Sequence, residues 1–397
     1  MKTRLLIISV FLLSAMTNAA QDMKKDYLGK VLDNLEKIES ATYTEIMEAW
    51  EPGDTIASYR TPFIVNEYNN PIDTIIGASY ACFTPSIEFY GGYDGEKKAI
   101  VYDEDKIIVL DDFTARKLPF RLVTPPFFSF TKNVIKYALE TNDKITMELD
   151  DMAECYHFKL TIKEDKQVEF FGKAYYMDNP YAFDPTSVYE LWIRKSDDLP
   201  YKYRREQCHN ISVVTCQDVE CNRLSIEDFN LSDYFPKDFE VRMYGQKRNV
   251  PVLPELTGIK APDWTLNDIK EKTVSLSDIK SKVVLLEFTG IGCGPCMVSI
   301  PFLNKLKDDF GEDKLEVVAI ETWKRNAHSG QNYVDKHNIT YMFLSATDAV
   351  IKDYRTGGAA PVFFILDEHR TIRKIINGYN KEVTDKEILD AITGLLE

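Results

Sequence analysis

Two cysteines separated by a Gly-Pro pair are the residues of this chain best suited to chemistry. Cys293-Gly294-Pro295-Cys296 follow an apolar segment, 283–288, and open a segment whose apolar residues repeat at helical spacing. A thiolate at a helix N-terminus meets unpaired backbone N–H groups and the positive end of the helix dipole, which lower its pKa. The short spacing brings the second sulfur within reach of the first, so disulfide attack and resolution need only these two residues. We expect Cys293 to be the exposed nucleophile and Cys296 the buried resolving thiol.

Two other roles compete for such a pair. A zinc site would need a second matching pair, and Cys216 and Cys221 are spaced differently and lie in the other half of the chain. A purely structural disulfide is the second alternative, although such bridges seldom sit at a strand-to-helix junction. The motif therefore favours thiol–disulfide exchange over either alternative.

The segments around the cysteine pair predict an alternation of strands and helices. Strands are expected at 283–288, 315–321, 341–345, 362–366 and 371–377, and helices at 297–310, 331–337 and 385–396. The last two strands form a hairpin that turns at 367–370. This order predicts an α/β/α sandwich, a sheet with helices on both faces.

The first half of the chain reads differently, as a mostly antiparallel sheet with one or two helices. Apolar residues alternate along 155–162, and an acidic turn joins 99–102 to 107–110 as a hairpin. Helical spacing marks a first helix from Asp26 and a second one at 131–140. The aromatic residues Phe127, Phe128 and Phe130 are expected in the core rather than in contact with a ligand.

Length and composition fit a two-domain globular protein. The chain has 397 residues, 44% of them hydrophobic and 28% charged, and no repeat of fixed period. Its formal net charge of -15 argues against a protein that coats nucleic acid or an anionic membrane, because both need a basic surface. We predict a signal peptide at 1–20, a β-rich domain at 21–245, a Pro-rich linker at 246–258 and a second domain at 259–397.

The N-terminus has the order of a secretory signal peptide. Lys2 and Arg4 precede an apolar run, 5–13, and small residues follow up to Ala19 and Ala20, where cleavage is expected. The alternative, a membrane anchor, would need about 20 apolar residues. No cysteine lies near the cleavage site and no later segment is long and apolar enough to span a bilayer. We therefore expect a soluble protein exported to the periplasm or cell envelope, without a lipid or transmembrane anchor.

Export permits disulfides, and the chain has seven cysteines, an odd number. Cys208, Cys216 and Cys221 are expected on neighbouring strands, which makes a structural disulfide among them plausible. Which of these, or of Cys82 and Cys155, would pair cannot be read from spacing.

Residues 259–397 resemble the thioredoxin superfamily, specifically the exported TlpA-like and redoxin-like thiol:disulfide oxidoreductases. The likeness rests on the Cys-Gly-Pro-Cys motif, on the stretches 261–266, 274–278 and 283–288, and on Ala360-Pro361 before the apolar run 362–366. Pro301 matches the proline that kinks the family's active-site helix, and 331–345 resembles the insertion that TlpA-like proteins carry. Glu287 matches the buried acid beneath the disulfide of thioredoxins.

The resemblance implies roles for three residues outside the cysteine pair. Pro361 would be a cis-proline beside the sulfurs, and the backbone of Ala360 would pair with a substrate segment as an added strand. Glu287 would be desolvated, with a raised pKa that suits it to accept the proton of the resolving cysteine. The alternatives are that Pro361 only starts an edge strand and that Glu287 points to solvent. No cofactor and no metal is implied.

Two departures from the family pattern, and one comparison with peroxiredoxins, bear on the function. Gly292 stands where the family usually has tryptophan, which leaves a smaller and more flexible surface before the first cysteine. Ser299 stands where TlpA-like reductases often carry glutamate, so Glu287 is the expected acid. Gly290 occupies the position of the threonine that peroxiredoxins require, which argues against a peroxidase.

The first half loosely resembles LolA-like and RseB-like envelope domains, half-barrels of antiparallel strands closed by helices. That likeness implies a lipid, apolar or polypeptide ligand. Because thioredoxin also has Gly-Pro between its cysteines and is reducing, at about −270 mV, we expect a reductase of protein or small-molecule disulfides that needs an upstream thiol electron donor. The alternative function is an envelope lipid- or polypeptide-binding protein with an accessory redox domain.

Overall fold

The computed structural model describes residues 23–51, 54–103, 105–114, 123–177, 184–208, 210–246, 256–325 and 327–397. The predicted signal peptide, 1–20, and most of the predicted linker lie outside the described residues. Two separate main sheets divide the described chain into an N-terminal region, 23–246, and a C-terminal region, 256–397. None of the helices in these ranges has the length and apolar character needed to cross a membrane.

The N-terminal region is built on a 12-stranded sheet. The described part of this region has fourteen strands, twelve in the sheet and two in a separate hairpin. In chain order they are β1 (Ser40–Trp50), β2 (Tyr59–Asn69), β3 (Ala78–Phe83), β4 (Phe89–Tyr93), β5 (Lys98–Tyr102), β6 (Ile107–Asp111), β7 (Ile145–Asp151), β8 (Cys155–Ile162), β9 (Gln167–Phe170), β10 (Ala174–Met177), β11 (Ser187–Arg194), β12 (Pro200–Glu206), β13 (Ile211–Cys221) and β14 (Glu240–Met243). The sheet order is β14-β6-β5-β4-β3-β2-β1-β13-β12-β11-β8-β7, while β9 and β10 form a separate hairpin. All pairs in the sheet are antiparallel except β14 with β6.

Two helices pack on one face of this sheet. The first, α1, spans 23–36, and the second, α2, is Phe127–Glu140. Leu28 of α1 and Val134 of α2 share a core with Phe158 and Leu191 of the sheet, all of them buried. The alternation predicted for 155–162 is present from Phe158 onward, because Phe158, Leu160 and Ile162 of β8 face this core. The region is strand-rich, and the edge strands β14 and β7 are not joined among the described residues.

The second helix begins four residues before its predicted start. The N-cap residue Pro126 offers no side-chain acceptor. Instead, the Tyr43 hydroxyl accepts from the Phe127 N–H at 2.9 Å, and the buried Glu67 carboxylate accepts from Phe128 N–H and Ser129 N–H at 3.1 and 2.7 Å. These acceptors satisfy the free donors of the first turn. Phe127, Phe128 and Phe130 are buried, as predicted.

The predicted structural disulfide in this region is not formed by Cys216 and Cys221. Both lie on one strand, β13, rather than on neighbouring strands, and both are thiols. Five residues along a strand separate their Cα atoms by roughly 16 Å, too far for a bridge. Cys82 and Cys155 are thiols as well.

The C-terminal region is a five-stranded sheet with helices on both faces, as the sequence predicted. Its strands are β15 (Thr265–Asn267), β16 (Thr273–Ser275), β17 (Val283–Thr289), β18 (Leu315–Glu321), β19 (Met342–Ser345), β20 (Val362–Leu366) and β21 (Ile372–Asn377), and its helices are α3 (Gly294–Phe310), α4 (Ala327–Lys336), α5 (Asp348–Asp353) and α6 (Lys381–Leu396). The order is β19-β18-β17-β20-β21, and β15 pairs with β16 apart from it. Strands β17, β18 and β19 are parallel, whereas β20 runs antiparallel to both neighbours.

The central strand β17 is buried along its whole length because both faces of the sheet are covered. Val283 and Leu285 face a core shared with α3 and α6, while Val284, Leu286 and Phe288 face a second core. Leu256 belongs to that second core, although we placed it in the linker. The short helix α5 was not predicted, because only Val350 of its six residues is buried and no periodicity develops.

Candidate active site

The cysteine pair lies where β17 ends and α3 begins. Cys293 is the N-cap residue of α3, and its Sγ accepts from the Cys296 N–H at 3.3 Å. The two cysteines form a disulfide, with their Cα atoms 5.2 Å apart. The predicted strand–turn–helix placement is thus present, and a backbone donor of the first helical turn points at the sulfur that would carry a thiolate.

The prediction that Cys293 is exposed is wrong. Its exposed fraction is 5%, against 1% for Cys296. A group from the N-terminal region lies against the preceding residue, since a Cβ atom placed on Gly292 would lie 2.9 Å from Oε1 of Glu51. Glu51 follows directly after β1 and is 8% exposed. Nothing local to the motif could predict this contact, because Glu51 is distant in sequence.

Glu287 is buried under the helix, at 1% exposure, so the alternative that it points to solvent is wrong. Desolvation raises the pKa of its carboxyl to about 8, and a hydrogen bond with Ser299 opposes that rise. Ser299 Oγ lies 2.8 Å from Glu287 Oε1 and 2.7 Å from the Cys296 carbonyl oxygen.

A single hydroxyl proton cannot serve both oxygens at once. A protonated Glu287 resolves this, because its own O–H can donate to Ser299 Oγ while Ser299 donates to the Cys296 carbonyl. The geometry therefore accommodates the neutral carboxyl that burial favours. It also links Glu287 to the backbone of the second cysteine through one side chain.

Pro361 stands at the start of β20, and the Ala360–Pro361 peptide is cis, as the family resemblance implied. The alternative that Pro361 starts an edge strand is wrong, because β20 lies between β17 and β21. Pro361 is buried and Ala360 is half-buried. Pro301 lies inside α3 on its exposed side, and its kink stays a prediction.

Sequence reasoning missed two residues beside the site, Glu321 and Trp323. The buried Glu321 carboxylate accepts from the Trp323 N–H at 2.9 Å and the Arg325 N–H at 3.0 Å, and so shapes the loop after β18. A Cβ on Gly290 would lie 2.5 Å from the Trp323 ring. Trp323 is 40% exposed. A tryptophan two residues after a predicted strand, at the edge where the cysteine motif lies, is the sequence signal that could have identified it.

Comparison with known proteins supports the resemblance. A family model described as AhpC/TSA family matches residues 257–375. Thioredoxin-like protein YneN of Bacillus subtilis (strain 168) is 32% identical over 137 residues, which are 34% of this chain and 79% of that protein. This chain belongs to the thioredoxin-like proteins. Thiol-disulfide oxidoreductase ResA of Geobacillus kaustophilus (strain HTA426) is 29% identical over 122 residues, covering 30% of this thioredoxin-like chain and 69% of ResA.

Solved structures also match the thioredoxin-like part. The thioredoxin domain of a thiol-disulfide oxidoreductase from Bacteroides vulgatus is 22% identical, with 34% of this chain and 97% of that chain covered and a TM-score of 0.30. A thiol:disulfide interchange protein from Bacteroides sp. is 21% identical, with 34% and 90% covered and a TM-score of 0.31.

Proposed function

We propose that the chain is an exported thiol:disulfide oxidoreductase that reduces disulfides of proteins or small molecules. The observation that carries this proposal is the placement of Cys293 as N-cap of α3, bonded to Cys296, above the buried Glu287. The names of the relatives support the same class of reaction. Gly290 stands where peroxiredoxins have threonine, which disfavours peroxide reduction.

The reaction transfers two electrons from the cysteine pair to the substrate. Cys293 thiolate attacks one sulfur of the substrate disulfide, which forms a mixed disulfide and releases the first substrate thiolate. Cys296 thiolate then attacks Cys293 Sγ, which releases the second substrate thiolate and leaves the Cys293–Cys296 disulfide. Two protons complete the two substrate thiols. An upstream dithiol donor returns the pair to the reduced state.

Glu287 is proposed to hold the proton that leaves Cys296. Its raised pKa places proton exchange with a thiol near neutral pH, and Ser299 connects it to the backbone of Cys296. The backbone of Ala360, next to Pro361, is proposed to pair with an extended substrate segment. Pro361 has no N–H of its own to donate there.

Export to the periplasm or cell envelope remains part of the proposal, supported by the charged, apolar and small-residue order of 1–20. An oxidising compartment makes the electron donor necessary, because a reductase there must be regenerated. The Gly294-Pro295 pair that thioredoxin shares supports the reducing direction.

A redox titration of the mature protein tests this function. The protein is equilibrated in graded thiol buffers, thiols are trapped, and peptides are mapped by mass spectrometry. A reversible Cys293–Cys296 disulfide with a potential near thioredoxin's, about −270 mV, supports a reductase, whereas one near −120 mV indicates an oxidant. Insulin reduction should be lost in Cys293→Ser. If the two cysteines never share a reversible disulfide, the oxidoreductase function is wrong.

One cavity favours a second candidate function, binding of an amphiphilic ligand by the N-terminal region. The cavity, of about 330 Å³, opens between β1, β2 and β3 and is lined mainly by apolar and aromatic side chains, including Met47, Val65 and Tyr80. Glu45 and Lys98 also line it. Burial raises the pKa of the Glu45 carboxyl to about 7. A mainly apolar cavity with a few charged groups suits a small amphiphile.

A fluorescent fatty-acid analogue is a direct probe of this cavity. We expect Val65→Trp, which fills the cavity, to weaken its binding at least tenfold. Tyr102→Trp is the control, because Tyr102 is exposed on β5 and does not line the cavity. Saturable binding that survives Val65→Trp would place the ligand elsewhere.

A further inference from the structure

The residue before Cys293 leaves room for a side chain from the other region. Gly292 has a φ of +84°, and a Cβ there would meet Glu51 Oε1 at 2.9 Å, with Cδ and Oε2 both at 3.5 Å. The Glu51 carboxylate therefore occupies the space that a side chain at 292 would fill. The positive φ favours glycine at this position, and a larger side chain there would also have to displace the Glu51 carboxylate.

Glu51 is held in place by its own loop and by α4. Asp54 N–H donates to the Glu51 carbonyl oxygen at 2.9 Å, and the Asp54 carboxylate accepts from the Glu51 N–H at 3.4 Å. The same carboxylate accepts from Ser329 Oγ at 2.7 Å and from Asn332 Nδ2 at 2.9 Å, both on α4. Asp54 thus connects the segment after β1 to α4.

Charged groups from several elements act on Glu51. Arg325 and Lys336 favour its anionic form, while Asp54 and Glu321 oppose it. Burial is the largest effect and raises the pKa of Glu51 to about 7. The carboxyl consequently changes charge across the physiological range, and it is mostly anionic at pH 8.5.

We propose that Glu51 is a specificity-determining residue of the redox site, which disfavours anionic thiols and disulfides at Cys293 relative to neutral or cationic ones. This deepens the proposed function and rests on it. The Glu51 carboxylate lies 2.9 Å from the Cβ position of the residue before Cys293, so an anionic partner that docks at Cys293 brings its charge close to this carboxylate. Glu51 is only 8% exposed, so little water screens the repulsion.

Alkylation of reduced Cys293 tests the charge selection. Iodoacetate is anionic and iodoacetamide is neutral. Both reagents react with the thiolate, so the ratio of their rates does not depend on the fraction of Cys293 that is deprotonated. The rates are measured at pH 8.5 on the full mature chain carrying Cys296→Ser, with Cys293 followed by peptide mapping. We expect Glu51→Gln to raise the iodoacetate-to-iodoacetamide ratio by about three- to tenfold.

Glu48→Gln is the matched control, since it removes the same charge from β1, the strand that ends just before Glu51, where Glu48 pairs with Arg60 at 3.1 Å. The control should leave the ratio unchanged. Asp54→Asn is an independent test. It weakens the attachment of the Glu51 segment to α4 and should raise the alkylation rate of Cys293 with both reagents. An unchanged ratio in Glu51→Gln, or an equal change in Glu48→Gln, would overturn the proposal.

The two proposals fail separately. If the wild-type protein exchanges no disulfide with cationic cystamine or anionic dithiodiglycolate, the oxidoreductase function is wrong, while the alkylation ratio still reports on Glu51. If exchange occurs with equal preference in wild type and Glu51→Gln, the specificity role is wrong and the oxidoreductase function stands.

Discussion

The indole N–H of Trp323 donates to the carbonyl oxygen of Gly358 at 3.0 Å. This bond ties the loop after β18 to the loop that leads into Pro361. The Trp323 ring also covers Gly290, just before the cysteine motif. One aromatic side chain, 40% exposed, thus contacts both the segment before the cysteine pair and the loop that leads into Pro361.

We expect Trp323→Ala to lower kcat/KM for a peptide disulfide by about tenfold, mainly through KM, because an exposed aromatic surface contributes to binding. Trp323→Phe keeps a ring over Gly290 but loses the N–H donor, and its effect should stay within about threefold. Steady-state kinetics on both variants measures this. Trp192→Phe, on β11, is the control, and equal losses in it would contradict the assignment.

The buried Glu287 should make stability fall as the pH rises. Burial raises its pKa in the folded state to about 8, from 4.5 in the unfolded chain, so the folded state binds more protons than the unfolded state between those pH values. Glu287→Gln removes this dependence and should be more stable than wild type at pH 9 by roughly 2–4 kcal/mol, with little difference at pH 4. Chemical denaturation at both pH values measures the difference.

The exposed Glu312 supplies the control for that experiment, as Glu312→Gln should keep the wild-type dependence on pH. A Glu287→Gln variant that still loses stability between pH 5 and pH 9 by as much as wild type would show that another group is responsible. Resolution of the mixed disulfide by Cys296 should also slow in Glu287→Gln, because the proton acceptor is gone.

The N-terminus of α2 should depend on Glu67. Glu67→Ala leaves the N–H groups of Phe128 and Ser129 without their acceptor in a buried site, which should cost about 3 kcal/mol of unfolding free energy. Glu67→Gln retains one acceptor oxygen and should cost less. Near-UV circular dichroism during denaturation measures the loss. An exposed control, Glu88→Ala, should change stability by under about 0.5 kcal/mol.

The sequence predicted the parts of the fold that repeat with a clear period. Strand β18 and strand β20 have their predicted bounds, because continuous apolar runs of that length mark buried strands. The start of α2 was missed, since its acceptors are Tyr43 and Glu67, far away in the chain. The short strand β14 was missed as well, because its four residues are half-buried or exposed and show no alternation.

In the candidate site, too, the sequence predicted local features and missed contacts between distant residues. Cys293, Cys296 and Pro361 could be placed because the motif and the following strand are local in sequence. The contact of Glu51 with Gly292 could not be predicted, since it depends on how two separately patterned regions contact each other. No periodicity within either region carries that information.

Glu51 lies in the connection between β1 and β2, and this same hairpin also lines the cavity of the N-terminal region. Strands β1 and β2 also supply Glu45, Met47, Phe63 and Val65 to the wall of the N-terminal cavity. Two distant sites therefore share one pair of strands. A ligand in the cavity that displaces these two strands would also change access to Cys293. By thermodynamic reciprocity, binding of a partner at Cys293 that displaces the same strands would change the affinity of the cavity for its ligand by the same factor.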